Sequence, residues 1–208
     1  QYGRGEVWEW GEEIGGHSWR TSGDLGFELD RVFEVALKNA EHREWNRPGA
    51  WNDPDYILIG WVGNTGEQRP TSLTGDEQYT YMSMWCLMAA PLIFSGDMSK
   101  LDEFTLNRLY NSEVIEIDQD VLGKQGRIIR KTADEMVMVK ELEDGSKAVG
   151  LFNLGVTPKG VSVSFRDLAI GGKAKVRDLW RQKDLGNFRD TYATRVNPHG
   201  VVLIKVKQ

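Results

Sequence analysis

The apolar pattern of this chain changes near residue 122, and that change constrains the fold more than any other feature. Before it, apolar residues recur at helical spacing in two long segments, with short apolar runs between them. After Gly126 they alternate with polar residues, which is typical of half-buried antiparallel strands. The sequence therefore predicts strand–helix units with a parallel sheet over residues 1–121, and an antiparallel sheet domain over residues 122–208.

The predicted elements of the first part alternate along the chain. Helical spacing predicts helices over residues 25–40, 74–88 and 101–109. Short apolar runs predict buried strands at residues 18–21, 56–59 and 91–95. Loops follow these strands, as expected for parallel βα units.

Composition excludes several classes of function. The net charge is −5 with no basic stripe, which argues against a nucleic-acid partner. No apolar run approaches the roughly 20 residues that span a bilayer, so no membrane partner is predicted. The single cysteine, Cys86, is expected to be a small buried hydrophobic residue. The histidines lack metal-ligand spacing and no nucleotide-binding glycine motif is present, so we predict no metal and no cofactor.

The most informative residue is Asp24, which ends the run Trp19-Arg20-Thr21-Ser22-Gly23-Asp24. In a βα barrel, reactive groups lie at the carboxyl ends of the strands, and carboxylates there can cleave a glycosidic bond. A general acid also needs a raised pKa, for which Trp19, with Trp8 or Trp10, could supply apolar walls. The alternative is that Asp24 merely caps the following helix, and the local sequence alone favours that cap.

A second acidic turn follows about thirty residues later, in Trp51-Asn52-Asp53-Pro54-Asp55-Tyr56. Its carboxylates could bind sugar hydroxyls, act as a second catalytic group or bind calcium. Calcium is the weakest of these hypotheses, because no loop supplies the six or more oxygen ligands expected. A tight turn closed by an aspartate side chain explains Asp53 and Asp55 equally well. Arg20 could donate hydrogen bonds to a sugar hydroxyl.

Several runs resemble a known family. The run that ends at Asp24 resembles the W-R-T-T-G-D signature of melibiase-type α-galactosidases, glycoside hydrolase family 27. Collinear matches follow: Pro48-Gly49-Ala50-Trp51-Asn52-Asp53-Pro54-Asp55 is similar to P-G-G-W-N-D-P-D, and Ile117-Asp118-Gln119-Asp120-Val121-Leu122-Gly123-Lys124-Gln125-Gly126 is similar to I-x-Q-D-P-L-G-x-Q-G. The resemblance implies a partial (β/α)8 TIM barrel, about strands 5–8, over residues 1–121, followed by an antiparallel β-sandwich domain over residues 122–208. It also implies a secreted or periplasmic protein.

The resemblance also implies roles for individual residues. Asp24 matches the family's catalytic acid/base, and Arg20 matches a residue that binds sugar hydroxyls. Asp55 matches a carboxylate lining the pocket, and Tyr56 a residue of the pocket wall. Gln1 falls where many members carry the Glu of a C-E-W sequence, so it is expected to contact the sugar as an amide. Asp53 is expected to be a structural neighbour.

One family element is absent from the sequence. The nucleophile of the family is an aspartate in a K-x-D segment on the fourth strand, which would precede Gln1. The resemblance thus implies a retaining α-galactosidase whose nucleophile lies outside this chain, with the other half of the barrel, or a second copy, as partner. Opening on a glycine-rich loop without Met, the chain is expected to be part of something longer. Alternatives are an α-N-acetylgalactosaminidase, a β-L-arabinopyranosidase, or a non-catalytic carbohydrate-binding or assembly module.

Overall fold

A computed structural model describes residues 5–63 and 68–208. Its first part mixes short strands with helices. The helices are α1 (Val7–Trp10), α2 (Leu29–Glu41), α3 (Gly75–Leu87), α4 (Glu103–Leu109) and α5 (Ser112–Asp118), and the strands are β1 (Ser18–Arg20), β2 (Trp51–Asp53), β3 (Trp61–Val62) and β4 (Arg69–Pro70). β1 and β2 pair in parallel, with Arg20 opposite Asp53, which confirms the predicted parallel pairing at this point. In the described ranges, no helix has both the length and the apolar character needed to cross a membrane.

The helix after Asp24 begins later than predicted. α2 starts at Leu29, and its N-cap is Glu28, whose backbone is extended. The interpretation of Asp24 as a helix cap is therefore wrong. The reason is a distant contact: the amide N–H of Leu25 donates to the Asp55 carboxylate at 2.8 Å, so another part of the chain holds this stretch as a loop. The start of α3 is as predicted, and the Thr74 and Glu77 side chains form a capping box there.

The two predicted strands at 56–59 and 91–95 are not formed as strands. A single parallel bridge joins Ile57 to Phe94, with hydrogen bonds from the Ile57 amide to the Ile93 carbonyl and from the Ser95 amide to the Ile57 carbonyl. Asp55 has φ +99°, which redirects the chain just before this segment. The apolar residues of 57–59 are nevertheless buried, so their side chains form core without a regular ladder.

The second part is an antiparallel sandwich. Its strands are β5 (Arg127–Lys131), β6 (Glu135–Glu141), β7 (Lys147–Asn153), β8 (Lys159–Ser164), β9 (Lys173–Asp178), β10 (Lys183–Arg189), β11 (Thr191–Val196) and β12 (Val201–Lys207). Six of them form one sheet in the order β10-β9-β12-β7-β6-β5, and β11 pairs with β8. Buried side chains from both layers, including Val149, Val163, Phe165 and Ile204, fill the space between them. The predicted antiparallel sheet is confirmed.

A shared core joins the two parts. α3 packs against the outer face of the six-stranded sheet, where fully buried Leu87 lies in one cluster with Phe152 and Leu203. Gly150 permits this close approach, because a Cβ at that position would lie 2.7 Å from a methyl carbon of Leu87. The sandwich is therefore a structural support for α3 rather than a loosely tethered module.

Buried amide side chains also connect the two parts. The Gln125 side chain, in the link to β5, accepts from the Asn39 and Asn52 amides at 3.4 and 3.3 Å and donates to the Asn39 carbonyl at 3.0 Å. Asn52 lies in β2, and its Oδ1 accepts from the Trp19 indole of β1 at 2.9 Å. Since these groups are buried, each needs its partner.

Replacing Gln125 by alanine is expected to lower the free energy of unfolding by about 1–3 kcal/mol, because buried amides on α2 and β2 lose a partner. Urea denaturation followed by tryptophan fluorescence measures the change. The matched control is Gln68→Ala at an exposed position, which should change stability by less than about 0.5 kcal/mol. Equal effects of the two substitutions would show that the network does not stabilise the fold.

Candidate active site

Arg20 connects the carboxylates at the ends of the two parallel strands. β1 ends at Arg20 and β2 at Asp53, so the residues that follow them meet at one edge of the sheet. Arg20 Nη2 lies 2.8 Å from Asp55 Oδ2 and 3.6 Å from Asp24 Oδ1. The same nitrogen donates to the Gly23 carbonyl at 2.8 Å, which fixes the loop between them. Three residues named as site candidates are thus brought together.

Asp55 is the buried centre of this cluster, with 6% of its side chain exposed. Its carboxylate accepts hydrogen bonds from the amides of Leu25 and Tyr56 at 2.8 and 2.9 Å, in addition to its ion pair with Arg20. These partners stabilise a buried carboxylate that would otherwise carry a large desolvation penalty. Asp55 therefore holds the position of Arg20.

Asp53 has a structural position beside it. Asp53 Oδ1 accepts the amide N–H of Asp55 at 2.8 Å, which forms the tight aspartate turn considered from the sequence. Burial raises the pKa of the Asp53 carboxyl, while the hydrogen bond from Asp55 and the charge of Arg20 oppose that rise. Asp53 Oδ1 is therefore engaged in the turn.

Asp24 differs from its two neighbours because its side chain is 82% exposed. The expectation that Trp19 and Trp8 form apolar walls around it is wrong. Trp19 is buried, and its indole N–H donates to Asn52 Oδ1. Trp8 stacks on the His42 ring, with the ring centroids 3.8 Å apart. The backbone of Asp24 is nevertheless fixed, since Arg31 donates to its carbonyl from Nε at 2.9 Å and from Nη2 at 2.7 Å. The carboxylate is presented to solvent from an anchored loop.

Other candidates lie near or outside this cluster. Tyr56 follows Asp55 directly and is 48% exposed, so its ring is available at the surface. Gln1 lies outside the described residues. Sequence reasoning missed the anchoring role of Arg31.

Among residues 5–63 and 68–208, no group of three or more histidine, cysteine or acidic side chains could hold a metal ion. Cys86 is a free, buried cysteine, as expected from the sequence, and burial raises the pKa of its thiol well above the usual value. The ionisable groups at the ends of β1 and β2 are the carboxylates of Asp24, Asp53 and Asp55 and the guanidinium of Arg20.

Both parts of the chain match known protein families. Residues 13–120 match the family described as Alpha galactosidase A, and residues 132–206 match the Alpha galactosidase C-terminal beta sandwich domain. Alpha-galactosidase 2 of Arabidopsis thaliana is 31% identical over 96% of this chain and 48% of its own length. The Alpha-N-acetylgalactosaminidase of Gallus gallus is 31% identical over 89% of this chain and 46% of its own length.

Solved structures agree. The crystal structure of a glycoside hydrolase family 27 β-L-arabinopyranosidase from Geobacillus stearothermophilus superposes with a TM-score of 0.87 at 30% identity, over 93% of this chain and 45% of that one. Fold and comparisons together define a glycoside hydrolase. More narrowly, the chain belongs to the melibiase-type α-galactosidases, glycoside hydrolase family 27. It spans about half the length of the curated relatives it matches.

Proposed function

We propose that this chain supplies the acid/base half of a retaining glycoside hydrolase that removes terminal α-linked galactose. The observation that supports this most directly is the contact of Arg20 with both Asp55 and Asp24 at the ends of parallel strands β1 and β2. In barrel enzymes this edge carries the reactive groups. Only Asp24 of the three is largely exposed, so it is the group that can reach a glycosidic oxygen.

In the proposed mechanism, Asp24 acts twice. A carboxylate outside this chain attacks the anomeric carbon while protonated Asp24 gives its proton to the leaving oxygen, which departs as an alcohol. Asp24, now a carboxylate, then takes a proton from water as the water oxygen attacks the anomeric carbon and releases the nucleophile. The configuration is retained because each displacement inverts it. Retaining enzymes hold the two carboxyl groups about 5–5.5 Å apart.

The neighbouring residues bind the sugar in this proposal. Arg20 donates to a sugar hydroxyl, and Asp55 keeps the guanidinium in place. Tyr56 forms part of the pocket wall. Gln1 contacts the sugar as an amide. The other half of the barrel, or a second copy, completes the site as the partner.

The isolated 208-residue chain is expected to show no turnover of nitrophenyl α-galactoside, because double displacement needs both carboxylates. A longer polypeptide with the nucleophile-bearing half joined to residues 1–208, hereafter the parent enzyme, should hydrolyse the same substrate. Mixing separately expressed halves should restore part of that activity. Measurable turnover by the homogeneous isolated chain would contradict the absence of a nucleophile.

Related sugars remain a second candidate within the same chemistry. One relative is an α-N-acetylgalactosaminidase and one structural neighbour a β-L-arabinopyranosidase. A panel of nitrophenyl glycosides, with galactose, N-acetylgalactosamine and arabinopyranose in turn, assigns the substrate of the parent enzyme. The highest kcat/KM is expected for α-galactose; a preference for either other sugar would replace it. If no glycoside is cleaved, while the chain still binds galactose in titration calorimetry, the non-catalytic binding module is supported instead.

A further inference from the structure

The backbone that carries Asp55 and Tyr56 is anchored by two aromatic side chains of α3. The Trp85 indole Nε1 donates to the Asp55 carbonyl at 2.9 Å, and the Tyr81 hydroxyl donates to the Tyr56 carbonyl at 2.7 Å. The same hydroxyl accepts the Leu58 amide at 3.3 Å. Both side chains are completely buried, with ring centroids 4.4 Å apart at 63°. Successive carbonyls are thus each held by one aromatic donor.

This anchoring coincides with a strained residue. Asp55 has φ +99°, a conformation that side-chain-bearing residues rarely adopt unless their surroundings impose it. The conformation directs the carboxylate back toward β1, where it meets the Leu25 amide and Arg20. A relaxed backbone at residue 55 would direct the carboxylate elsewhere. Arg20 would then lose the partner that fixes it beside Asp24.

We propose that Trp85 and Tyr81 are positioning residues for the active site: their hydrogen bonds to consecutive carbonyls keep Asp55 in its positive-φ conformation, and Asp55 in turn orients Arg20 toward Asp24. The proposal rests on the proposed function for its consequence in catalysis. Neither side chain reaches the exposed edge, so neither touches substrate. Their effect passes through the backbone of residues 55–58 and the Arg20–Asp55 ion pair.

The test uses substitutions that remove one donor and keep an aromatic ring. Trp85→Phe removes the indole N–H, and Tyr81→Phe removes only the hydroxyl, which makes it the gentler change. The matched control is Trp180→Phe. The Trp180 indole donates to Ser83 Oγ, also on α3, at 2.9 Å, but it serves the sandwich contact rather than the site. Each of the three substitutions removes one hydrogen bond donated by an aromatic side chain, and Tyr81→Phe also removes the acceptor of the Leu58 amide.

Amide hydrogen exchange of the 208-residue chain, followed by NMR, gives the first readout without any need for activity. The amides of Leu25 and Tyr56, which donate to the Asp55 carboxylate, should exchange about tenfold faster in Trp85→Phe and Tyr81→Phe. The separate NMR signals of the Arg20 guanidinium N–H groups should also merge, because the guanidinium rotates faster when its ion pair with Asp55 loosens. Trp180→Phe should leave both signatures unchanged. Unaltered Leu25 and Tyr56 exchange in folded Tyr81→Phe would overturn the proposal, even if Trp85→Phe does not fold.

Kinetics of the parent enzyme give the second readout. Both site variants should lower kcat/KM by about tenfold, chiefly through KM, since the Arg20–Asp55 pair binds the sugar while Asp24 is untouched. A uniform loss of stability without this KM effect, as in the control, would show a merely structural role and contradict the proposal. If the parent enzyme itself has no turnover, the proposed function fails, while the exchange experiment still decides the positioning role.

Discussion

Replacing Asp24 by alanine in the parent enzyme is expected to slow hydrolysis of an alkyl α-galactoside by about 10²–10⁴-fold. An alkoxide is a poor leaving group, so its departure depends on a proton delivered by a general acid. Asp24 is the largely exposed carboxylate of the cluster, and the Arg31 guanidinium fixes its backbone carbonyl. The rate constant kcat/KM for methyl α-galactoside measures the effect directly.

Substrates that need no acid assistance separate this role from general damage. For a dinitrophenyl galactoside, Asp24→Ala should form the galactosyl-enzyme at nearly the normal rate and then accumulate it, giving a burst of phenolate. Azide, which needs no general base to attack, should restore turnover and yield a galactosyl azide of retained configuration. The matched control is Asp30→Asn, an exposed acidic residue of α2, which should leave both steps unchanged. An equal loss for all leaving groups would remove Asp24 from the acid/base role.

The position of Asp24 after a strand could be predicted, and its grouping with the acidic turn follows from one structural rule. Arg20 and Asp53 end neighbouring strands that run in parallel, and parallel strand ends meet at one edge. Alternating apolar residues similarly predicted the sandwich strands, because the pleat repeats every second residue. The periodicity of apolar residues was sufficient to predict helices and strands wherever the backbone is regular.

The backbone conformation at the site could not be predicted, since distant residues impose it. The start of α2 shifts to Leu29 because the Leu25 amide bonds a carboxylate thirty residues away. The segment after Asp55 reads as a buried strand, yet the Asp55 and Tyr56 carbonyls accept from side chains of α3, and a single bridge at Ile57 replaces a regular ladder. No local pattern encodes a tryptophan donor thirty positions further along the chain. The irregular parts of this fold are those that position the carboxylates.

The joint between the two parts contains buried ionisable groups whose effect depends on pH. Asp118, the last residue of α5, is 6% exposed, and burial raises the pKa of its carboxyl to about 7. Its Oδ2 accepts from the Gln119 amide at 2.5 Å, whereas Oδ1 has no hydrogen-bond partner among the described residues. Lys140 of β6 faces it, and the Cys86 thiol lies close enough to interact with both. Burial lowers the pKa of Lys140, whose ammonium donates to the Lys124 carbonyl at 2.9 Å.

Asp118 and Lys140 determine whether the stability of the fold rises or falls with pH. The folded pKa of Asp118 lies above its unfolded value of about 4, so the folded chain binds more protons between those values. Stability must therefore fall as pH rises through this window, because the carboxyl ionises in the unfolded chain while burial keeps it protonated in the folded chain. The positive charge of Lys140 reduces that loss because it favours the ionised form of Asp118. Burial, however, disfavours the charged form of Lys140. Ionised Asp118 destabilises the joint, and the effect is complete only above its folded pKa.

Asp118→Asn is thus expected to raise the free energy of unfolding by about 2–3 kcal/mol more at about pH 8 than at about pH 5. Urea denaturation of the 208-residue chain at both pH values measures the difference. Asp144→Asn is the matched control of opposite sign. Hydrogen bonds from Ser146, Lys207 and Lys205 hold the pKa of Asp144 below its usual range, so its stabilisation is lost only as pH falls through acidic values. That substitution should lower stability equally at both pH values, because the carboxylate is fully ionised throughout the interval. Parallel pH profiles for wild type and Asp118→Asn would show that Asp118 does not ionise against its buried surroundings.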